Sequence, residues 1–200
     1  NNSTLKIVGG NSKDFLQACN ANDTLEMTSH AGVVNYEPTE LVLTARAGTP
    51  IVEIEKLLAD NGQYLSFEPP HFSENTTIGG AVASGMGGPR RPWGGAPRDV
   101  LLGCRLLTGT GDVMRFGGEV MKNVAGYDVS RLMAGAQGSL GVLLEVSLKV
   151  LPAPSKTITL TQNLRETEAH QTMRELAAKP IPLSGVCFAN GQLYIRLSGA

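Results

Sequence analysis

Thr76-Thr77-Ile78-Gly79-Gly80, running on through Gly85, Gly87 and Gly88, is the stretch on which the reading of this chain turns. It is the middle of three glycine patches. The others are Val8-Gly9-Gly10-Asn11-Ser12 and Gly135-Ala136-Gln137-Gly138-Ser139-Leu140-Gly141-Val142, and each lies beside apolar, strand-like sequence. Glycine numbers 24 of the 200 residues. Without a side chain it lets backbone N–H groups turn toward and closely approach a ligand, and it tolerates φ > 0. Three such loops on one scaffold point to a large, phosphate-bearing ligand.

Composition narrows the field around that ligand. Hydrophobic residues make up 42% of the chain and charged residues 18%, with a net charge of −1, so the chain reads as globular. No block of like charge occurs, which argues against sequence-blind nucleic-acid binding, a function that needs clustered basic surface. Cys19, Cys104 and Cys187 are scattered and odd in number. They read as isolated buried thiols rather than a disulfide framework or a metal site, and imply a reducing, cytoplasmic compartment. No segment is long and apolar enough to span a bilayer, and the first residues lack the basic start and apolar stretch of a signal peptide. The chain starts almost on a strand and stops soon after another, which reads as trimming at both ends.

Patterning gives the elements between the loops. Strands are expected over 5–8, 41–45 and 100–108, the last turning at Gly109-Thr110-Gly111 into a return strand over 112–116. A helix over 50–61 is expected, with Thr49 as N-cap, Pro50 in its first turn, Ile51, Ile54, Leu57 and Leu58 on one face and Gly62 beyond its end. A short helix over 128–134 leads into the third glycine patch. From Val142 to Val150 apolar and polar residues alternate, with Leu143 alone out of pattern, as in a half-exposed strand. Leu151-Pro152-Ala153-Pro154 should break regular structure and mark a domain boundary. Beyond it come a strand over 157–161, a helix over 164–178, and strands over 185–189 and 192–197 joined by Asn190-Gly191, a dipeptide suited to a two-residue hairpin turn.

Two familiar nucleotide motifs are absent. No Gly-x-x-x-x-Gly-Lys-Ser/Thr occurs, and no Gly-x-Gly-x-x-Gly follows a strand and opens a long helix. Gly109-Thr110-Gly111 comes closest, but Met114 occupies the last glycine position. Consecutive backbone N–H groups in a glycine-rich turn form a concave anion site without needing a lysine, and the Ser12, Thr76 and Thr77 hydroxyls add donors. For Gly9 and Gly10 taken alone, an ordinary turn is the competing reading.

The ordered set Gly-Gly-Asn-Ser, Thr-Thr-Ile-Gly-Gly and Gly-Ser-Leu-Gly-Val resembles the vanillyl-alcohol oxidase and p-cresol methylhydroxylase (PCMH-type) flavoproteins over about residues 5 to 152. The resemblance implies an α+β, PCMH-type FAD-binding domain over 1–152, with a first lobe over about 1–70, a second over about 71–152 and non-covalent FAD in the cleft between them. The start of an α+β cap would follow over 153–200. It assigns the cofactor to Gly9, Gly10, Asn11, Ser12, Pro70, Thr76, Thr77, Gly79, Gly80, Ser84, Asn123, Gly138, Gly141 and Val142.

A narrower resemblance, to the FAD-binding E subunits of bacterial glycolate oxidases, rests on three stretches. They are Glu68-Pro69-Pro70-His71-Phe72, Gly88-Pro89-Arg90-Arg91-Pro92-Trp93 and the run from Arg115 to Asp128 that contains Lys122-Asn123-Val124-Ala125-Gly126-Tyr127. It implies an oxidoreductase subunit that holds FAD for electron transfer from glycolate toward an iron–sulfur subunit, beside a sister FAD-binding catalytic subunit. Peripheral association with the inner face of the plasma membrane through that complex would follow. A self-sufficient FAD-dependent 2-hydroxy-acid dehydrogenase and an assembly subunit with weak FAD binding are the competing readings. His71 and Lys122 are the catalytic candidates, each against a structural role, with Arg90 and Arg91 as further cations that could face the flavin. Trp93 either covers the flavin, anchors a partner or packs its own loop. His30 and His170 have no supporting context, and no metal-spaced cluster is present.

Overall fold

The computed structural model describes residues 4–16, 21–118 and 127–199. Cys19, Lys122 and Asn123 lie outside them.

A short parallel pair, β1 (Leu5–Val8) beside β2 (Asp23–Glu26), stands apart at the start. β3 (Val33–Glu37) and β4 (Val42–Arg46) then lead into α1 (Ile51–Asp60) and the two-residue β5 (Gln63–Tyr64). Next come α2 (Ile78–Ser84) and the single-turn helices α3 (Arg91–Gly94) and α4 (Pro97–Val100). The hairpin of β6 (Leu101–Leu107) and β7 (Val113–Gly117) is followed by α5 (Val129–Met133), β8 (Val142–Lys149) and β9 (Leu151–Pro152). The last unit is β10 (Lys156–Asn163), α6 (Glu166–Ala177), β11 (Leu183–Ala189) and β12 (Gln192–Gly199).

The main sheet has the order β3-β4-β8-β6-β7 and is antiparallel throughout. It joins strands from both sides of residue 70, where the sequence placed the division between lobes. Its core combines Leu43 and Ala45 of β4, Val146 and Leu148 of β8, Ile51, Ile54 and Leu58 of α1, and Ile78, Ala81 and Val82 of α2, all with no exposed surface. The period-3.6 face of α1 and the period-2 face of the strands therefore meet in one cluster.

Three local expectations are corrected. Thr49 does not cap α1: its hydroxyl donates to Arg46 O (2.7 Å) and accepts from Gly32 N (2.9 Å), so Pro50 becomes the cap residue without a side-chain bond. The 151–154 segment does not break the structure at once. Leu151-Pro152 pairs with Gln63-Tyr64, a two-residue ladder in which proline's missing N–H is tolerated, and Ala153 N reaches Gly62 O (2.7 Å). Cys187 is exposed, whereas Cys104 on β6 is buried and burial pushes its thiol pKa up.

The out-of-pattern Leu143 has a structural cause. β8 pairs Glu145 with Arg105 and Leu143 with Leu106, so the ladder skips Leu144; this bulge resets the alternation and buries Leu143. Ser147, expected on the polar face, is buried and its hydroxyl bonds Thr44 Oγ1 at 2.8 Å.

The final unit is a three-stranded antiparallel sheet of order β10-β12-β11, with α6 packed against β11. Asn190 (φ 52°) and Gly191 (φ 75°) make its tight turn, as their sequence indicated. His170 is exposed on α6. Among the described residues, no helix is long and apolar enough to cross a membrane.

Candidate functional site

The three glycine patches meet. They do so because each is hydrogen-bonded to the same scaffold or to a neighbouring patch. The middle patch is fixed first: Ile78 N donates to Thr49 O (2.9 Å), Gly79 N to Ala47 O (2.8 Å), and Ile51 N to Thr76 O (2.8 Å). What read as a loop is in fact the start of α2, with Thr77 as N-cap accepting from Gly80 N (3.2 Å) and Gly85 ending it in the left-handed region.

The first patch lies against the middle one. Met27 N bonds Val8 O (2.8 Å), and Thr76 Oγ1 bonds Ser12 Oγ (3.0 Å). An added Cβ at Gly10 would stand 1.5 Å from Asn75 O, and one at Gly9 would stand 2.4 Å from Thr77 Oγ1. The third patch hangs from the far end of α2, through Gly135 N to Val82 O (3.0 Å) and Gln137 N to Ala83 O (2.9 Å). It then reaches back to β1, where a Cβ on Gly138 would stand 2.8 Å from Ile7 Cδ1.

One cavity results, walled by Gly9, Gly10, Asn11 and Ser12 from the first patch, Thr77, Gly79, Gly80 and Ser84 from the second, and Gly138 and Gly141 from the third. Sequence reasoning assigned all ten to the cofactor. Thr76 stands just behind the wall as the link to Ser12, and Val142 is buried at the head of β8. Pro70 and His71 are not in the wall. His71 Nε2 pairs with Glu55 on the outer face of α1 at 3.1 Å. Arg90 stacks its guanidinium on the Tyr64 ring at 5.0 Å, Arg91 is exposed, and Trp93 keeps 40% of its surface exposed on α3.

The wall also contains groups that sequence reasoning passed over. Ile7, Leu16, Met27, Ala83, Met133 and Leu143 make it largely apolar between the loops, and among the described residues Lys6, Lys13 and Asp14 are its charged side chains. Lys6 is neutralised by Asp14. Lys13 is half-buried, and desolvation holds its pKa below the usual lysine value. Its place directly after the Gly-Gly-Asn-Ser turn was the signal that could have identified it.

The chemistry of this lining suits a dinucleotide. The N–H groups of Gly9, Gly10, Asn11 and Ser12 donate to no acceptor among the described residues. With Asn11 in the left-handed region (φ 52°), the turn offers successive donors to an anion. Apolar surface on either side suits flat rings.

The model of a family described as "FAD binding domain" matches residues 1–117. The chain belongs to that family. It is an FAD-binding domain of the PCMH type, as the three patches indicated. It is 53% identical over 195 residues to glycolate oxidase subunit GlcE of Escherichia coli, covering 98% of this chain and 56% of that protein. Glycolate oxidase subunit GlcD of Bacillus subtilis is 34% identical over 143 residues, 70% of this chain and 30% of that one. D-lactate dehydrogenase of Anaerostipes hadrus is 29% identical over 136 residues, 68% of this chain and 28% of that protein. Among solved structures, alkyldihydroxyacetonephosphate synthase superposes with a TM-score of 0.75 over 98% of this chain and 42% of its own, at 19% identity, which is a likeness of fold. The chain thus spans about half the length of the GlcE protein it matches and less of the others.

Proposed function

We propose that this chain is the FAD-binding part of a glycolate oxidase subunit of the GlcE kind. The 53% identity over 195 residues carries that reading, and the cavity walled by the three glycine patches supports it. When bound, FAD supplies the two-electron redox chemistry that side chains lack. The Gly9–Ser12 turn holds the pyrophosphate by its free N–H groups, Thr77 and Ser84 offer hydroxyls, and Gly80, Gly138 and Gly141 let the cofactor lie close to the backbone. FAD is held without a covalent bond. Electrons from glycolate pass onward to an iron–sulfur subunit beside a sister flavoprotein of the GlcD kind, in the cytoplasm, with peripheral attachment to the plasma membrane through the complex.

His71, paired with Glu55 away from the wall, takes a structural role here, and on this reading Lys122 remains a catalytic candidate and Asn123 a cofactor contact. The relationship to D-lactate dehydrogenase supports a second reading, a 2-hydroxy-acid dehydrogenase that needs no partner.

Purified protein should carry a flavin spectrum, release the flavin on acid precipitation, and melt higher on adding FAD. At a ligand concentration of 100 Kd the stabilisation is about 2.7 kcal/mol, a shift of roughly 5–10 °C for a chain of this size. No flavin spectrum and no shift would end the cofactor assignment. Bleaching by glycolate only when the sister and iron–sulfur subunits are present supports the subunit reading; bleaching of the isolated protein supports the second one.

A further inference from the structure

Of the three charged side chains among the described residues of the cavity wall, Lys6 and Asp14 satisfy each other, and Lys13 is left over. Among the described residues no carboxylate lies within ion-pair reach of its ammonium, whose nearest polar contact is Ser12 Oγ at 3.5 Å. The ammonium instead stands over the face of Phe72, 5.8 Å from the ring centroid. Phe72 is in turn held by Phe15, edge-to-face at 5.2 Å between centroids. Two aromatic rings therefore keep a half-desolvated cation at the rim of the cavity, although a lysine on an open surface would extend its stem and hydrate its head. Desolvating a cation without an anion is unfavourable, and the arrangement makes chemical sense when an anion enters beside it.

We propose that Lys13 is the counter-charge for the diphosphate of the bound nucleotide, held in place by Phe72, so that this site selects a diphosphate-bearing flavin over one without it. This rests on the FAD-site reading. The Gly9–Ser12 turn supplies partial charges through its N–H groups, and Lys13, next in sequence, adds the one full positive charge not already paired among the described residues of the wall. Riboflavin, which lacks the diphosphate, gains nothing from it.

Binding of FAD, ADP and riboflavin to the full chain, wild type and Lys13→Met, measures this directly, with Lys13→Arg as the charge-retaining control. In Lys13→Met, FAD and ADP affinity should fall together by about 10-fold or more, the effect of one charge-assisted hydrogen bond. Riboflavin affinity should be unchanged, and the dependence of FAD affinity on salt should flatten. Lys13→Arg should retain most of the affinity. Ligand-free Lys13→Met should melt no lower than the wild type, because the variant removes an uncompensated charge. Equal FAD affinity in wild type and Lys13→Met would overturn the proposal and leave the FAD site standing, as would an equal loss for riboflavin. A wild type that binds neither FAD nor ADP would overturn both.

Discussion

Gly10 and Gly80 belong to neighbouring patches, yet they are glycines for different reasons. A Cβ on Gly10 would stand inside the Asn75 carbonyl, at 1.5 Å, so this glycine exists to let one backbone cross another. A Cβ on Gly80 meets only Thr77 Oγ1, at 3.2 Å, and Gly80 lines the cavity inside α2. Gly10→Ala should therefore cost roughly 3 kcal/mol or more of stability, at or beyond the upper end for overpacking, since neither backbone can yield. Gly80→Ala should change stability by no more than about 1 kcal/mol, helix propensity favouring it and the close approach to the capping Thr77 hydroxyl opposing it, while FAD binding weakens. Thermal melts with and without FAD separate the two. The sequence showed the glycines but gave no way to tell these roles apart, because the atoms that exclude a side chain come from residues far along the chain.

Local periodicity was enough for the longer elements. The face Ile51, Ile54, Leu57, Leu58 predicted α1; Ile51, Ile54 and Leu58 are fully buried, and Leu57 is partly buried at the edge of the same cluster. Ile54→Ala should accordingly cost about 2–5 kcal/mol in denaturant unfolding, whereas Val52→Ala on the exposed side, at 42% exposure, should cost under about 0.5 kcal/mol. Where periodicity misled, a partner on another strand was the cause. Leu143 entered the core through a bulge set by β6, and Thr49 was drawn from capping α1 by Arg46 O and Gly32 N. The second glycine patch read as a loop because three of the first five residues of α2 are glycine or alanine; the Thr77 cap on Gly80 N and the bond from Gly79 N to Ala47 O hold the helix start in place.

At the scale of the whole molecule, Glu68 ties the last sheet to the rest. Its Oε1 bonds Arg196 Nη2 of β12 at 2.6 Å, its Oε2 accepts from Arg90 N at 3.0 Å, and its backbone sits in the left-handed region at φ 48°. Arg196 also donates to Ser184 O at 2.7 Å. Both partners are mostly shielded, with 25% and 27% of their side chains exposed. A double-mutant cycle of Glu68→Gln and Arg196→Met should give a coupling of about 1–2 kcal/mol, between the values for exposed and fully buried pairs. Additive effects would show that the pair contributes nothing to docking the sheet.

The sequence by itself placed the longer strands and helices and pointed the three glycine patches to one phosphate-bearing ligand, because glycine spacing and hydrophobic period are local properties of the chain. Ten of the residues assigned to the cofactor do share one wall. Only the tertiary structure decided which glycines are also required by packing, placed Pro70 and His71 outside the wall, and left Lys13 as the unpaired cation among the described residues of the wall. Each of these depends on what a distant segment places against the residue, and burial, charge pairing and steric exclusion are set by those distant neighbours.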